Sequence, residues 1–341
     1  MLPLYLSGSF RWIVAGLLSA IALTIGVLVI LSIELHLTVE PVADRMWVLE
    51  DRSANAVLLA NTTTAVLVDT KHWRHSIRLK REIDKLTKKP IRYIINTHHH
   101  PDHVDGNPLF LPGPEVIMTE NARRRLLERF SLVGARPEER AAIPERGVAA
   151  KDTPIDIGTQ IIHVVQVGRG HTDGDCVVYF PLQHVVVAGD LFYNGYYPEI
   201  DAASGGSALA WIDAIDRIIA LGPELVIPGH GEPAGVAELK AFQGYLKDLI
   251  REVARLKDDL KLTRAEVAEQ ISLPVHSARL KPLDERANLT ENAKEVFDEL
   301  AAGARLPQWP TFEFIPASEV EDEKADADGM EMETSPGQAG E

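Results

Sequence analysis

The chain has 341 residues, 45% hydrophobic and 25% charged, proportions that allow a large buried core and exclude a wholly disordered or fibrous protein. A net charge of −15 gives no basic footprint for a phosphate backbone, so nucleic acid is excluded as an expected partner. One cysteine, Cys176, excludes an intramolecular disulfide and any cysteine-built zinc cluster.

In chain order, residues 1–11 precede an uncharged run of 22 residues, Trp12 to Ile33. At about 1.5 Å per residue, a helix of that length matches a hydrocarbon core of about 30 Å. The run is longer than the apolar part of a cleaved signal, and no A-x-A pattern follows it. A retained single-pass transmembrane anchor over 12–33 is the expectation, with secretion after cleavage as the alternative. Arg11 precedes the run, whereas Glu34, Glu40 and Asp44 follow it against Arg45, which places the remainder outside the cytoplasm, periplasmic or extracellular. Residues 34–44, around Pro41, read as a linker.

Short apolar runs then predict strands at Trp47–Leu49, Ala56–Ala60 and Ala65–Val68, separated by turn formers such as Asn61. Ile77, Ile83 and Leu86 predict a helix over Ser76–Lys88, stopped before Pro90. A strand over Arg92–Asn96 runs into a polar cluster, Thr97 to Asn107. Val116–Met118 reads as a strand, Asn121–Phe130 as a helix and Leu132–Lys151 as a long loop or lid. Strands follow at Ile161–Val167, Cys176–Phe180 and Val185–Ala188. Leu209, Ile212, Ile215, Ile218 and Ile219 mark a helix before a strand at Leu225–Ile227. Val236–Leu262 and Asn288–Leu300 read as further helices. A strand meander followed by strand–helix alternation predicts an α/β protein, an αββα sandwich of two mixed β-sheets. The domain reading is 45–250 catalytic, 251–317 a C-terminal helical extension, and 318–341 a disordered tail. That tail holds nine Asp or Glu and one Lys, with little apolar surface to offset the entropy of ordering it.

Residues 97–106 read T-H-H-H-P-D-H-V-D-G, too many polar groups for a core segment. His98, His100, Asp102 and His103 form an H-x-H-x-D-H pattern in which alternate residues project two imidazoles to one side. The Asp-His pair can turn toward a second metal, as two-metal sites require, while His99 points away from the first. His171 in G-R-G-H-T-D-G, Asp190 in V-V-V-A-G-D and His230 in V-I-P-G-H-G follow in order, each after a predicted strand.

This set of motifs resembles the metallo-β-lactamase superfamily from about Arg45 to Leu246. The resemblance implies that His98, His100 and His171 bind a first zinc and that Asp102, His103 and His230 bind a second, with Asp190 bridging the two. It implies that Asp69 steadies a ligand from behind. Asp190 stands where some lactamases have a cysteine ligand, so the site is more similar to glyoxalase II-type hydrolases and to the group near the quinoprotein relay proteins. The segment G-D-L-F-Y-N-G-Y-Y-P-E-I-D resembles that group's loop, and Tyr193, Asn194 and Tyr197 are candidates to line the substrate pocket. Cys176 reads as a core strand residue, His163 and His184 as structural, and His36, His72, His75 and His276 as surface.

The chemistry implied is zinc-dependent hydrolysis, a metal-bound hydroxide cleaving a carbonyl-type bond in an ester, thioester, lactone or β-lactam, with Asp102 shuttling the proton. The rival is a persulfide dioxygenase of the same superfamily, holding one iron on His98, His171 and Asp190. A non-enzymatic binding protein on this fold is a third reading, and it should show eroded ligands. The expected partners are a small-molecule substrate and the membrane; nothing in the sequence sets the oligomeric state.

Overall fold

A computed structural model of the chain describes residues 17–21, 23–24, 37–145, 147–148 and 151–303. Among them, no helix is long and apolar enough to cross a membrane. The expected anchor over 12–33 falls mostly outside the described residues, as do residues 1–11, His36 and the acidic tail.

The first sheet has six strands in sequence order: β1 (Thr38–Ala43), β2 (Met46–Glu50), β3 (Ala56–Ala60), β4 (Ala65–Val68), β5 (Ile91–Ile95) and β6 (Glu115–Ile117). β1 to β4 pair antiparallel, and β4, β5 and β6 parallel. The second sheet runs β11 (Leu225–His230), β10 (Val185–Tyr193), β9 (Val177–Phe180), β8 (Ile161–Val165), β7 (Asp152–Asp156), with only β10 and β11 parallel. Both sheets are mixed, as expected.

Each of the strands β3, β4, β9 and β10 is buried along its whole length, which explains the unbroken apolar runs. The period of two divides their side chains between layers. Val57 and Leu59 face the second sheet with Val178, Phe180 and Val187, while Ala56, Leu58 and Ala60 face the helices. On that outer side lie α1 (Trp73–Leu86), through Leu79 and Ile83, and α3 (Glu120–Val133), through Ala122 and Leu126, with the one-turn α2 (Pro101–Val104) between them in sequence. The opposite outer layer is α5 (Ala208–Ala220) and α6 (Val236–Ala254), following the short α4 (Pro137–Ala141). The layers are therefore helix, sheet, sheet, helix.

Several expectations need correction. Residues 38–43, read as part of a linker, form edge strand β1; an edge position tolerates Pro41, which cannot donate to a ladder. The supposed lid at 132–151 includes α4 and a bridge from Val148 to Thr119, and β7 beyond it had no apolar alternation to announce it. Residues 101–104 are helical because Pro101 at the first position presets φ for a turn. The helix from Val236 stops at Ala254 and passes into a π-turn, Arg255–Asp259, instead of reaching Leu262. Beyond it come α7 (Arg264–Gln270), α8 (Pro274–Ser277) and α9 (Leu289–Ala301), and Val267, Leu273, Ala293 and Val296 join the same core as Trp211 and Phe242. His163 is buried against Asp152, and His184 takes a left-handed turn. His75 and His276 are half-buried, paired with Asp51 and Asp248, and His72 caps α1. Cys176 is buried one residue before β9, and burial raises its thiol pKa.

An ion pair away from the histidine cluster is wholly interior. The Lys71 ammonium bonds the Asp51 carboxylate at 3.1 Å and the Ala54 carbonyl, and both side chains are 1% exposed or less. Asp51 also holds His75 Nδ1 at 3.0 Å, so it clips the loop after β2 to the start of α1. Asp51→Ala, which strands the ammonium, should cost about 3–5 kcal/mol in urea unfolding. The double change Asp51→Ala with Lys71→Met should recover part of that loss; equal stability of single and double variants would refute a buried pair.

Candidate metal centre

The chain brings its predicted ligands to one end of both sheets. His98 to His103 follow β5, Asp69 follows β4, His171 follows β8, Asp190 lies within β10, and His230 ends β11. Two groups of ligand atoms match the predicted sets, His98 with His100 and His171, and Asp102 with His103 and His230; within each, all atoms lie within 4.8 Å of one another. Asp190 sits between them. Its Oδ1 is 3.0 Å from His103 Nε2, and its Oδ2 is 3.6 Å from His171 Nε2 and 3.5 Å from His230 Nε2.

Each of four imidazoles has one nitrogen engaged outside the cluster, which turns the other inward. His98 Nδ1 is 3.2 Å from Thr97 Oγ1, His103 Nδ1 is 2.7 Å from Asp69 Oδ2, and His171 Nδ1 donates to the Glu199 carbonyl at 2.8 Å. His100 is engaged the other way round, with Nε2 2.9 Å from Asp201 Oδ2, so its Nδ1 faces His171 Nε2 at 2.8 Å. Asp69, at φ +58°, also accepts from Thr97 N at 2.9 Å and Thr97 Oγ1 at 2.7 Å, which fixes where the histidine segment leaves β5.

Glycines admit this crowding. A Cβ at Gly229 would fall 1.9 Å from Asp190 Oδ1, and Gly189, at φ +53°, would carry a Cβ into Thr97.

Electrostatics follow the same layout. Burial lowers His98 and His171, and burial pushes His99 down to about 2. Burial opposes charge on His103 and His230 too, yet the Asp190 carboxylate outweighs it, raising His103 well above its ordinary value and His230 to about 9. Burial also opposes charge on Asp102 and Asp190, and His103 foremost outweighs it and lowers both.

A divalent cation suits this donor set. His98 Nε2, His103 Nε2 and Asp190 Oδ1 are buried without a hydrogen-bond partner, the 3.0 Å approach of the last two lacking hydrogen-bond geometry. Buried lone pairs left so are costly unless a metal takes them, and imidazole with carboxylate is a zinc-type donor set. Two further groups occur among the described residues: His98, His103 and Asp190, which joins one ligand of each predicted set to the predicted bridge, and His99, His100 and Asp201, which shares His100 with the first.

The other candidate residues are each held by partners of their own. His99 is buried with Nε2 3.4 Å from Ser204 Oγ. Tyr193 and Tyr197, candidates for the pocket, are core residues 2% and 5% exposed; the Tyr193 hydroxyl donates to Asp190 Oδ2 at 2.5 Å and that of Tyr197 to Ser277 Oγ at 2.8 Å. Asn194 donates to the Glu232 carbonyl at 2.9 Å. Sequence reasoning missed Asp201, and also Asp175, which accepts from Gly170 N and Thr172 N to shape the turn bearing His171. Burial raises Asp175 to about 6. The D-G-D and E-I-D spacings near the motifs were the available signals.

The chain is 26% identical over 199 residues to 2,4-dinitroanisole O-demethylase subunit alpha of a Nocardioides species, covering 58% of each chain. It is 24% identical over 268 residues to linear primary-alkylsulfatase of a Pseudomonas species, covering 64% of this chain and 49% of that one. The match thus spans about half the length of these relatives. Among solved structures, a metallo-beta-lactamase from Pontibacter korlensis aligns with a TM-score of 0.53 at 22% identity, over 62% of this chain and all of that one, a likeness of fold. The sequence model of the metallo-beta-lactamase superfamily matches residues 49–230, from the end of β2 to the last predicted ligand and more than half of the chain, so the chain belongs to the metallo-beta-lactamase superfamily.

Proposed function

We propose that this protein is a zinc-dependent hydrolase with two metals per chain, acting on a carbonyl-type bond of a small molecule. The observation that carries the reading is the convergence of two ligand groups on either side of Asp190, with buried lone pairs facing inward. His98, His100 and His171 would hold one ion, and Asp102, His103 and His230 the other. When bound, a pair of zinc ions supplies Lewis acidity toward a substrate oxygen and makes hydroxide available from water near neutral pH. Asp102, 33% exposed where the other ligand candidates are 15% exposed or less, would orient incoming water and take its proton. Asp69 and Asp201 hold His103 and His100 in their tautomers.

The rival iron reading needs His98, His171 and Asp190 as a set; Asp190 Oδ2 lies 3.6 Å from His171 Nε2 and His98 groups with each of the two, so the readings differ in whether Asp102, His103 and His230 hold a second ion. A binding protein without catalysis is disfavoured by the presence of every ligand. The bond cleaved is a narrower question. The relatives' names specify an O-demethylase and an alkylsulfatase, so sulfate esters and aryl methyl ethers belong in a screen beside esters, thioesters, lactones and β-lactams.

We also propose that residues 12–33 anchor the protein and that the hydrolase lies outside the cytoplasm. Only three residues separate that run from Leu37, which packs into the core cluster of α1. On the same outer side of the first sheet, α1 exposes Trp73 and Ile77 together with Arg74 and Arg81, a mixed aromatic and cationic face that suits lipid headgroups.

Two measurements test these readings. Asp190→Ala should lose one of two zincs by metal analysis and at least about a hundredfold in rate, comparable to removing another strong electrostatic contributor. His99→Ala should keep both metals; an Asp190→Ala protein with two zincs and normal turnover would sink the proposal. An alkaline phosphatase fused to the C-terminus should be active in cells, and a fluorescent protein there dark if it requires the cytoplasm. The reverse pattern would put the domain inside.

A further inference from the structure

In a regular strand, residues three apart face opposite sides, so Tyr193 should point away from Asp190. It does not. Between Gly189, opposite Pro228, and Tyr193, opposite His230, β10 advances four residues while β11 advances two. The extra length folds the strand, as bulges do when they re-aim a side chain. The phenol comes back over the carboxylate and donates to Oδ2 at 2.5 Å, within the range of a short charge-assisted hydrogen bond.

The ring that carries this hydroxyl is held on several sides. It stacks on His230 at 5.4 Å between centroids and 17° between planes, and it packs on Trp211 and Phe242 at 6.4 Å each. Trp211 is itself fixed by its indole N–H on the Leu191 carbonyl at 2.9 Å. The hydroxyl therefore has a fixed position, and Asp190 cannot rotate about its Cβ–Cγ bond without breaking the hydrogen bond.

The two oxygens of Asp190 are consequently unequal. Oδ2 is engaged by the phenol, whereas Oδ1 is buried without a hydrogen-bond partner, beside His103 Nε2 and against the backbone of Gly229. A carboxylate giving one oxygen to each of two metals would have to share Oδ2 with the phenol. We propose that Tyr193 is a positioning residue that fixes the metal-binding mode of Asp190, engaging Oδ2 so that Oδ1 is the oxygen offered to metal. This rests on the reading of Asp190 as a ligand and sharpens it. The same ring, stacked on His230, lets one side chain set the orientation of two ligands.

The test uses the full chain, stripped of metal and titrated with Co(II) against a competing chelator. Asp190→Ala identifies the equivalent that depends on this carboxylate. Tyr193→Phe keeps the ring and its stacking but removes the donor, and it should weaken that same equivalent by about 10- to 100-fold, as losing an orienting partner does. The visible d–d band of that equivalent should shift, while the equivalent on His98, His100 and His171 changes by less than about threefold, well short of that loss. A readout without loss of packing is 3-fluorotyrosine at position 193. Its fluorine resonance should move when the Asp190-dependent equivalent binds and stay still in Asp190→Ala. If Asp190→Ala loses an equivalent that Tyr193→Phe binds with unchanged affinity and spectrum, the tyrosine proposal fails while the ligand reading stands. If Asp190→Ala keeps every equivalent, the ligand reading fails and takes the proposal with it.

Discussion

The arrangement depends on one carboxylate that is not predicted to touch metal. Asp69 accepts from the backbone N–H and hydroxyl of Thr97 and from His103 Nδ1 in a space closed to water. These three bonds tie the end of β4 to both ends of the histidine segment. Replacing Asp69 would remove one acceptor from a buried imidazole N–H, a hydroxyl and an amide together, and a buried donor left without a partner costs about 1–3 kcal/mol. Two ligands are displaced if that knot loosens, since Thr97 also meets His98 Nδ1. The left-handed φ of Asp69 aims its side chain at Thr97, and such strained conformations persist where surrounding bonds over-determine them.

Much of this was legible because the physics was local. A H-x-H-x-D-H run after an apolar strand carries its own geometry, and unbroken apolar runs such as Ala56–Ala60 signal strands covered on both faces. The layer order followed from strands and helices in sequence. What stayed hidden depends on partners distant in the chain. β1 has a proline and four exposed or half-exposed positions in its first four residues, and only pairing with β2 makes it a strand. Asp201 looks like any loop acid until the fold brings it to His100, 101 residues earlier. Tyr193 read as a pocket residue because the sequence placed it near Asp190 but could not show a bulge turning it inward.

The helices after residue 250 make a similar point about domain boundaries. Composition suggested an appendage there, yet Val267, Leu273, Ala293 and Val296 share a core with Trp211, Phe242 and Tyr193. Tyr245 on α6 receives the Asn292 side-chain amide at 2.9 Å, a buried polar link from α9 to the helix that covers β10 and β11. The C-terminal helices thus stand behind the ring that supports Asp190 and His230, and packing transmits their placement to the ligands.

This layering separates the parts of the protein that set reactivity from those that set selectivity. His98, His103, His171 and Asp190 are closed off, each with its orientation determined by a buried neighbour, so changing any of them disturbs both protonation and position. Asp102 is the ligand candidate with the most open side chain, and His100 and its partner Asp201 are 15% and 16% exposed. The centre is thus most open beside Asp102 on α2 and His100, next to the loop from Tyr193 to Ser207 that carries Asp201. That loop is fixed to the centre by Glu199 on His171 and by Asp201 on His100, so its outward residues can vary without moving the metal ligands. The ligand candidates are thus set by the ends of the two sheets and by the inward side of this loop, whereas its outward residues carry no such constraint.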